Sequence, residues 1–293
     1  MGNTMENDGR LVQVLDRLNS LSIKDRYNPY VDFKWPSALP DDAFWMSTEL
    51  LSVAGTAVAE ELTPAQLKRL SQWESINFYS LNVHGIRELL AQVVRRIHTR
   101  AFAVESEFLH HFIGEENEHM WFFATFCRLY GGKLYPEVRL KYDPNPDRAI
   151  EDFLVFARIL IFEEIVDFYN VTMGKDPSLP PIVRKLNETH HRDESRHVAF
   201  GRELLVHMHQ KLRRTKDDVA FRHVEDYLRR YIAYTFEQFY SPLAYADAGL
   251  ADPFGLRQRM LADPARGAFH RTALRKTTAF LKKAKILPDE AAG

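Results

Sequence analysis

The chain has 293 residues and is 45% hydrophobic, enough to bury one sizeable core. Its 39 basic and 40 acidic residues leave a formal net charge of −1 and no basic stripe, which excludes an electrostatic footprint for nucleic acid. The single cysteine, Cys127, excludes a disulfide framework and a cysteine-built zinc cluster. No apolar run is long enough to span a bilayer, and the first residues carry neither a signal-peptide core nor a myristoylation signal. A cytoplasmic protein with no membrane partner is therefore expected. Composition does not shift along the chain, so residues 1–293 are read as a single domain.

Taken in order, residues 1–40 read as a loop or N-terminal arm. Thr63-Pro64-Ala65-Gln66 is a helix start, with Thr63 as N-cap, Pro64 in the first turn and Gln66 closing a capping box. No proline follows until Pro136, so long helices can run there. The next helix is expected from Glu105 to Tyr130, stopped by Gly131-Gly132. A third begins near Asp147 and ends before Gly174, and a fourth runs from Pro180-Pro181 to about Arg213. Two or three extra helices should fill 217–283, and the tail from Pro288 reads as loop. Strand-like alternation is absent. The fold expected is all-α, a helical bundle with a core at about 64–213 and additional C-terminal helices.

Two of these helices carry the same motif. Glu116-Asn117-Glu118-His119 and Glu194-Ser195-Arg196-His197 each set a glutamate and a histidine three residues apart, on one helix face. Carboxylate and imidazole without thiolate suit Fe, Mn or Zn. Di-metal carboxylate bundles use two such helices plus one glutamate from each of two others. In an antiparallel pair, residues at equal height lie equally far from the turn. Opposite Glu116 this selects Glu88, which puts the turn near Phe102, over Glu74. Opposite Glu194 it leaves Glu163 and Glu164, and Glu163 is preferred because it continues the apolar face of Phe156, Ile159, Leu160 and Val166. His190 shares a stripe with Glu194 and His197, which implies a third histidine ligand, whereas His191 is rotated off it. Glu115 and Asp193 flank ligands and are candidates to orient the imidazoles from behind, as is His84 one turn before Glu88.

Glu88, Glu116-x-x-His119, Glu163 and His190-x-x-x-Glu194-x-x-His197 resemble the pattern of the p-aminobenzoate N-oxygenase family of ferritin-like di-iron oxygenases, over roughly Leu70 to Leu205. Acyl-carrier desaturases and ribonucleotide reductase small subunits share the two Glu-x-x-His pairs but not the extra histidine. The resemblance implies a ferritin-like bundle, two Fe ions cycling between Fe2+ and Fe3+, O2 as co-substrate, and N-oxygenation of an amine. Oxidation at carbon (hydroxylation, desaturation or oxidative cleavage) and ferritin-like iron oxidation or storage are the alternatives. No Gly-x-Gly-x-x-Gly signature is present, so an external reductant or separate electron donor is expected. The other expected partner is a small-molecule substrate, free or carrier-bound; a homodimer is compatible with the sequence.

Overall fold

The computed structural model describes residues 2–138 and 144–288. Its regular elements are all helical among the described residues. α1 (Gly2–Lys24) is followed by the short α2 (Pro29–Asp32) and α3 (Ala57–Glu61), then by four long helices. These are α4 (Pro64–Val94), α5 (Ser106–Phe126), α6 (Arg148–Lys175) and α7 (Pro181–Arg213). α4 and α5 form one antiparallel hairpin and α6 and α7 the other; the two pack together with α1 lying against α7 and α5. α8 (Asp218–Glu237) packs on α6, and α9 (Pro242–Asp247), α10 (Pro253–Ala262), α11 (Pro264–Ala273) and α12 (Arg275–Lys283) complete the chain. One buried apolar cluster runs from Leu11 to Leu287. No helix among the described residues is long and apolar enough to cross a membrane.

α4 and α6 begin where their caps dictate. The Gln66 amide donates to Thr63 Oγ1 at 3.3 Å and the Thr63 amide donates to Gln66 Oε1 at 2.9 Å, so two orphan donors of α4 are satisfied reciprocally. Asp147 accepts from the Ala149 and Ile150 amides to open α6. α5 loosens at its end into a π-turn, Cys127–Gly131, closed by Gly132 at φ 68°. Gly131 is there because a Cβ would stand 2.7 Å from Ile76 Cδ1 on α4.

Within the stretch expected as loop or arm, residues 2–24 and 29–32 are helical. α1 forms because Leu11, Leu15 and Leu18 recur at helical spacing and bury against the bundle. The C-terminal third holds five helices, not two or three. Ser241-Pro242, Asp252-Pro253 and Asp263-Pro264 each start a new one, their side chains capping the amides of Ala244, Gly255 and Ala265. Of the tail from Pro288, residues 289–293 lie outside the described residues.

Candidate metal centre

α5 and α7 run side by side through the core and aim their Glu-x-x-His pairs at one point. Glu116, His119, Glu194 and His197 are all buried, and one donor atom from each lies within 4.8 Å of all the others. His197 Nδ1 stands 2.8 Å from Glu116 Oε1 and 3.4 Å from Glu194 Oε1, while His119 Nδ1 stands 3.6 Å from the same two oxygens. Glu163, buried on α6, has Glu194, His197 and Glu116 as charged neighbours. His190 Nε2 lies 2.9 Å from Glu194 Oε1, and its ring meets that of His119 at 4.5 Å between centroids. Phe112, Phe122 and Phe123 wall these groups in.

The outer partners fix which ring nitrogen faces inward. His119 Nε2 donates to Asp193 Oδ2 at 3.1 Å, and His197 Nε2 donates to Glu115 Oε2 at 2.8 Å. Each imidazole therefore turns its Nδ1 into the cluster. The bracing is crossed, because Glu115 on α5 holds the α7 histidine and Asp193 on α7 holds the α5 histidine. Arg196 ties both braces together, its Nη2 lying 2.9 Å from Glu115 Oε1 and 2.8 Å from Asp193 Oδ1. His190 Nδ1 lies 2.6 Å from the Asn170 amide. Turned so that Oδ1, which has no partner, accepts from Nδ1–H, that amide leaves the Nε2 lone pair free.

The electrostatics follow from burying like charges together. Burial and the Glu194 charge push the Glu163 carboxyl well above its usual range. Burial also opposes ionisation of Glu194, but the nearby His190 and His197 hold it well below. For His119, burial is outweighed by the hydrogen bond to Asp193 and the neighbouring Glu116 charge, which push it up to about 10. The centre calls for positive charge, and a metal ion would compete with protons for the same atoms.

Whether these residues fit a metal is answered by their unpartnered atoms. Glu116 Oε1, His119 Nδ1, Glu163 Oε1, both Glu194 oxygens and His197 Nδ1 are buried without a hydrogen-bond partner. Buried polar atoms without partners are costly, and a cation coordinated by all of them removes that cost. Oxygen and imidazole donors suit iron or manganese. The donor set fits a metal centre.

Four expectations need correction or closure. Glu88 is exposed and accepts from Gln92 Nε2 at 2.8 Å, away from the cluster. The α4–α5 connection does pass through Arg100–Phe102, but position along a hairpin says nothing of azimuth. The buried stripe of α4 is Tyr79, Asn82, Val83, Ile86, Leu89 and Val93, and Glu88 lies off it. His84 donates from Nε2 to the Tyr135 carbonyl at 2.7 Å and does not orient a ligand. Glu164 accepts from Arg202 at 2.7 Å and Thr277 at 2.6 Å, so of the two adjacent glutamates Glu163 is the one at the cluster. His191 pairs with Asp167, 2.6 Å away. Sequence reasoning missed Asn170, although a polar residue two turns after Glu163 on a buried stripe was a visible signal.

A groove of about 630 Å³ lies between α4, α6 and α8, lined by Leu81, Gly85, Ile159, Phe162 and Tyr234 among others. Phe162 immediately precedes Glu163 and rests on Gly85, where a Cβ would come within 2.7 Å of its ring.

Paired helical hairpins with a buried glutamate–histidine cluster define a protein built around a candidate metal site. The sequence profile described as P-aminobenzoate N-oxygenase AurF matches residues 9–285. The chain belongs to that family, an oxygenase family. Among solved structures, an R2-like ligand-binding oxidase without metal cofactor aligns over 92% of this chain and 96% of its own, at 16% identity and a TM-score of 0.45. No curated protein matches.

Proposed function

We propose that the chain is a non-haem di-iron oxygenase that uses O2 to oxidise the nitrogen of a small-molecule amine. The observation that carries this reading is the set of buried carboxylate oxygens and imidazole nitrogens facing one another without hydrogen-bond partners. Family membership supports the oxygenase chemistry. Glu116, Glu163 and Glu194 with His119, His190 and His197 would hold the iron, which when bound supplies the redox chemistry with O2.

The protein's own groups do the rest. Asp193 and Glu115 keep the proton of each outer-braced imidazole on Nε2, so both rings stay in the ligating tautomer. Arg196 neutralises the two bracing carboxylates and holds them at fixed positions. The phenylalanine wall excludes water from the centre. The groove bounded by Gly85 and Phe162 is the approach for substrate, and electrons come from a separate donor.

Purified protein loaded anaerobically with Fe2+ should hold about two irons per chain, as such ligand sets do. With O2, a reductant and a panel of aryl and alkyl amines, it should form hydroxylamine, nitroso or nitro products, read by mass spectrometry with 18O2. Oxygen uptake with products only at carbon would replace N-oxygenation with carbon chemistry. Iron oxidation with no product from any substrate would favour an iron-oxidising role.

A further inference from the structure

The cluster divides into two halves that share Glu116 and Glu194. One half is His197 with Glu163, whose charged neighbours are Glu194, His197 and Glu116. The other is His119 with His190, ring against ring and each within reach of Glu194 Oε1. The halves are not equivalent. α6 supplies the first with a carboxylate of its own, and the second has none. Tyr79 of α4 stacks on Phe123 of α5 at 5.0 Å. Counting from that contact along the antiparallel helices sets Ile86 opposite Glu116 and Val83 opposite His119; the buried residues of α4 over this stretch are Asn82, Val83, Ile86 and Leu89, and Asn82 Oδ1 has no hydrogen-bond partner. The remaining carboxylates around the centre are engaged elsewhere. Glu115 and Asp193 bond the outer ring nitrogens, Glu164 bonds Arg202 and Thr277, and Glu88 is exposed.

Resting on the metal-centre reading above, we propose that the two metal positions are unequal by construction: the His197/Glu163 position fills first, and the His119/His190 position, with no carboxylate from α4 to complete it, fills second and more weakly. Three carboxylates carry three negative charges against four positive charges on two divalent ions. The uncompensated charge falls at the position whose own donors are both neutral. His190 adds a donor atom there but no charge. Val83, Ile86 and Leu89 offer no donor atom, and the one buried free oxygen on this face, Asn82 Oδ1, belongs to a neutral amide, so α4 adds no charge at this position.

Anaerobic titration of the metal-free full chain with Co2+ alone, followed by d–d absorption and equilibrium dialysis, tests this without reference to turnover. Two binding steps are expected, separated by on the order of tenfold or more, since even outer-sphere losses at metal sites cost about 10–100-fold. His190→Gln should keep the first step and remove the second. Ile86→Glu, which places a carboxylate at the α4 position, should bring the second step to within about threefold of the first on the same scale. Glu88→Ala should leave both steps unchanged. Two ions bound in one step or with equal affinity overturn the proposal, as does a second step lost in Glu88→Ala or in Glu163→Gln with the first retained. Binding of no ion at all overturns the metal-centre reading itself, a result distinct from equal steps. If Ile86→Glu does not fold, the His190→Gln and Glu88→Ala titrations still decide the matter.

Discussion

Arg196 is the side chain on which the two hairpins meet behind the cluster. It is buried, and its guanidinium reaches Glu115 on α5 and Asp193 on its own helix at 2.9 and 2.8 Å. Removing a buried charge leaves its partners uncompensated, which typically costs about 3–5 kcal/mol. Arg196→Met should therefore destabilise the fold by that order and weaken metal binding roughly 10–100-fold, because both braces lose their anchor. Arg196→Lys restores the charge but not the planar fork, and should recover only part of either loss. Urea denaturation and metal titration of both variants check this; metal affinity unchanged in Arg196→Met would show that the braces stand without it. Asp193-Glu194-x-Arg196-His197 could be read as a unit in the sequence. The crossing of the braces could not, because it depends on which helix each histidine reaches across to.

At the level of elements, α4 meets α6 where the ring of Phe162 lies on Gly85. A methyl group at Gly85 would overlap that ring, at a cost of about 1–3 kcal/mol for overpacking, while alanine gains roughly 1 kcal/mol of helix propensity. Gly85→Ala should thus be destabilising by about 1 kcal/mol, and with Phe162→Leu already in place it should become neutral or stabilising. A double-mutant cycle of unfolding free energies reads the coupling; strict additivity would mean that the ring yields freely into the groove. Helix ends were legible from the sequence where capping chemistry was complete, as at Thr63 and Asp147. The motif helices were legible because Glu-x-x-His repeats once in each proline-free half. α1 was missed because its leucine stripe is thin and set among polar residues, with no cap to announce it. Glu88 was misplaced because hairpin symmetry fixes position along an axis and leaves rotation about it open.

For the molecule as a whole, one buried carboxylate outside the centre couples stability to pH. Glu74, on α4, accepts from the Ser52 amide at 3.0 Å and from the Ser52 hydroxyl. Burial pushes it up to about 7, against the pull of Ser52 and Arg266. Between the ordinary carboxylate range and pH 7 the folded chain holds this proton while the unfolded chain has released it. Stability falls as pH rises through that window and is flat with respect to this group above it. A shift from 4.5 to about 7 corresponds to about 3 kcal/mol. Glu74→Gln should remove that share of the decline between pH 5 and pH 8 in urea denaturation, and an unaltered decline would place its origin elsewhere. α1 sets a different whole-molecule constraint, one of timing. Its leucine face docks on α7, yet Lys24 and Pro181 are separated by more than half the chain. At about 5–20 residues per second of ribosomal synthesis, α1 emerges roughly 10–30 seconds before the helix that will cover it. Until α7 emerges, Leu11, Leu15 and Leu18 have at most the α5 side of their cover, so part of an apolar ridge made early stays open on the nascent chain to chaperones and to misassembly.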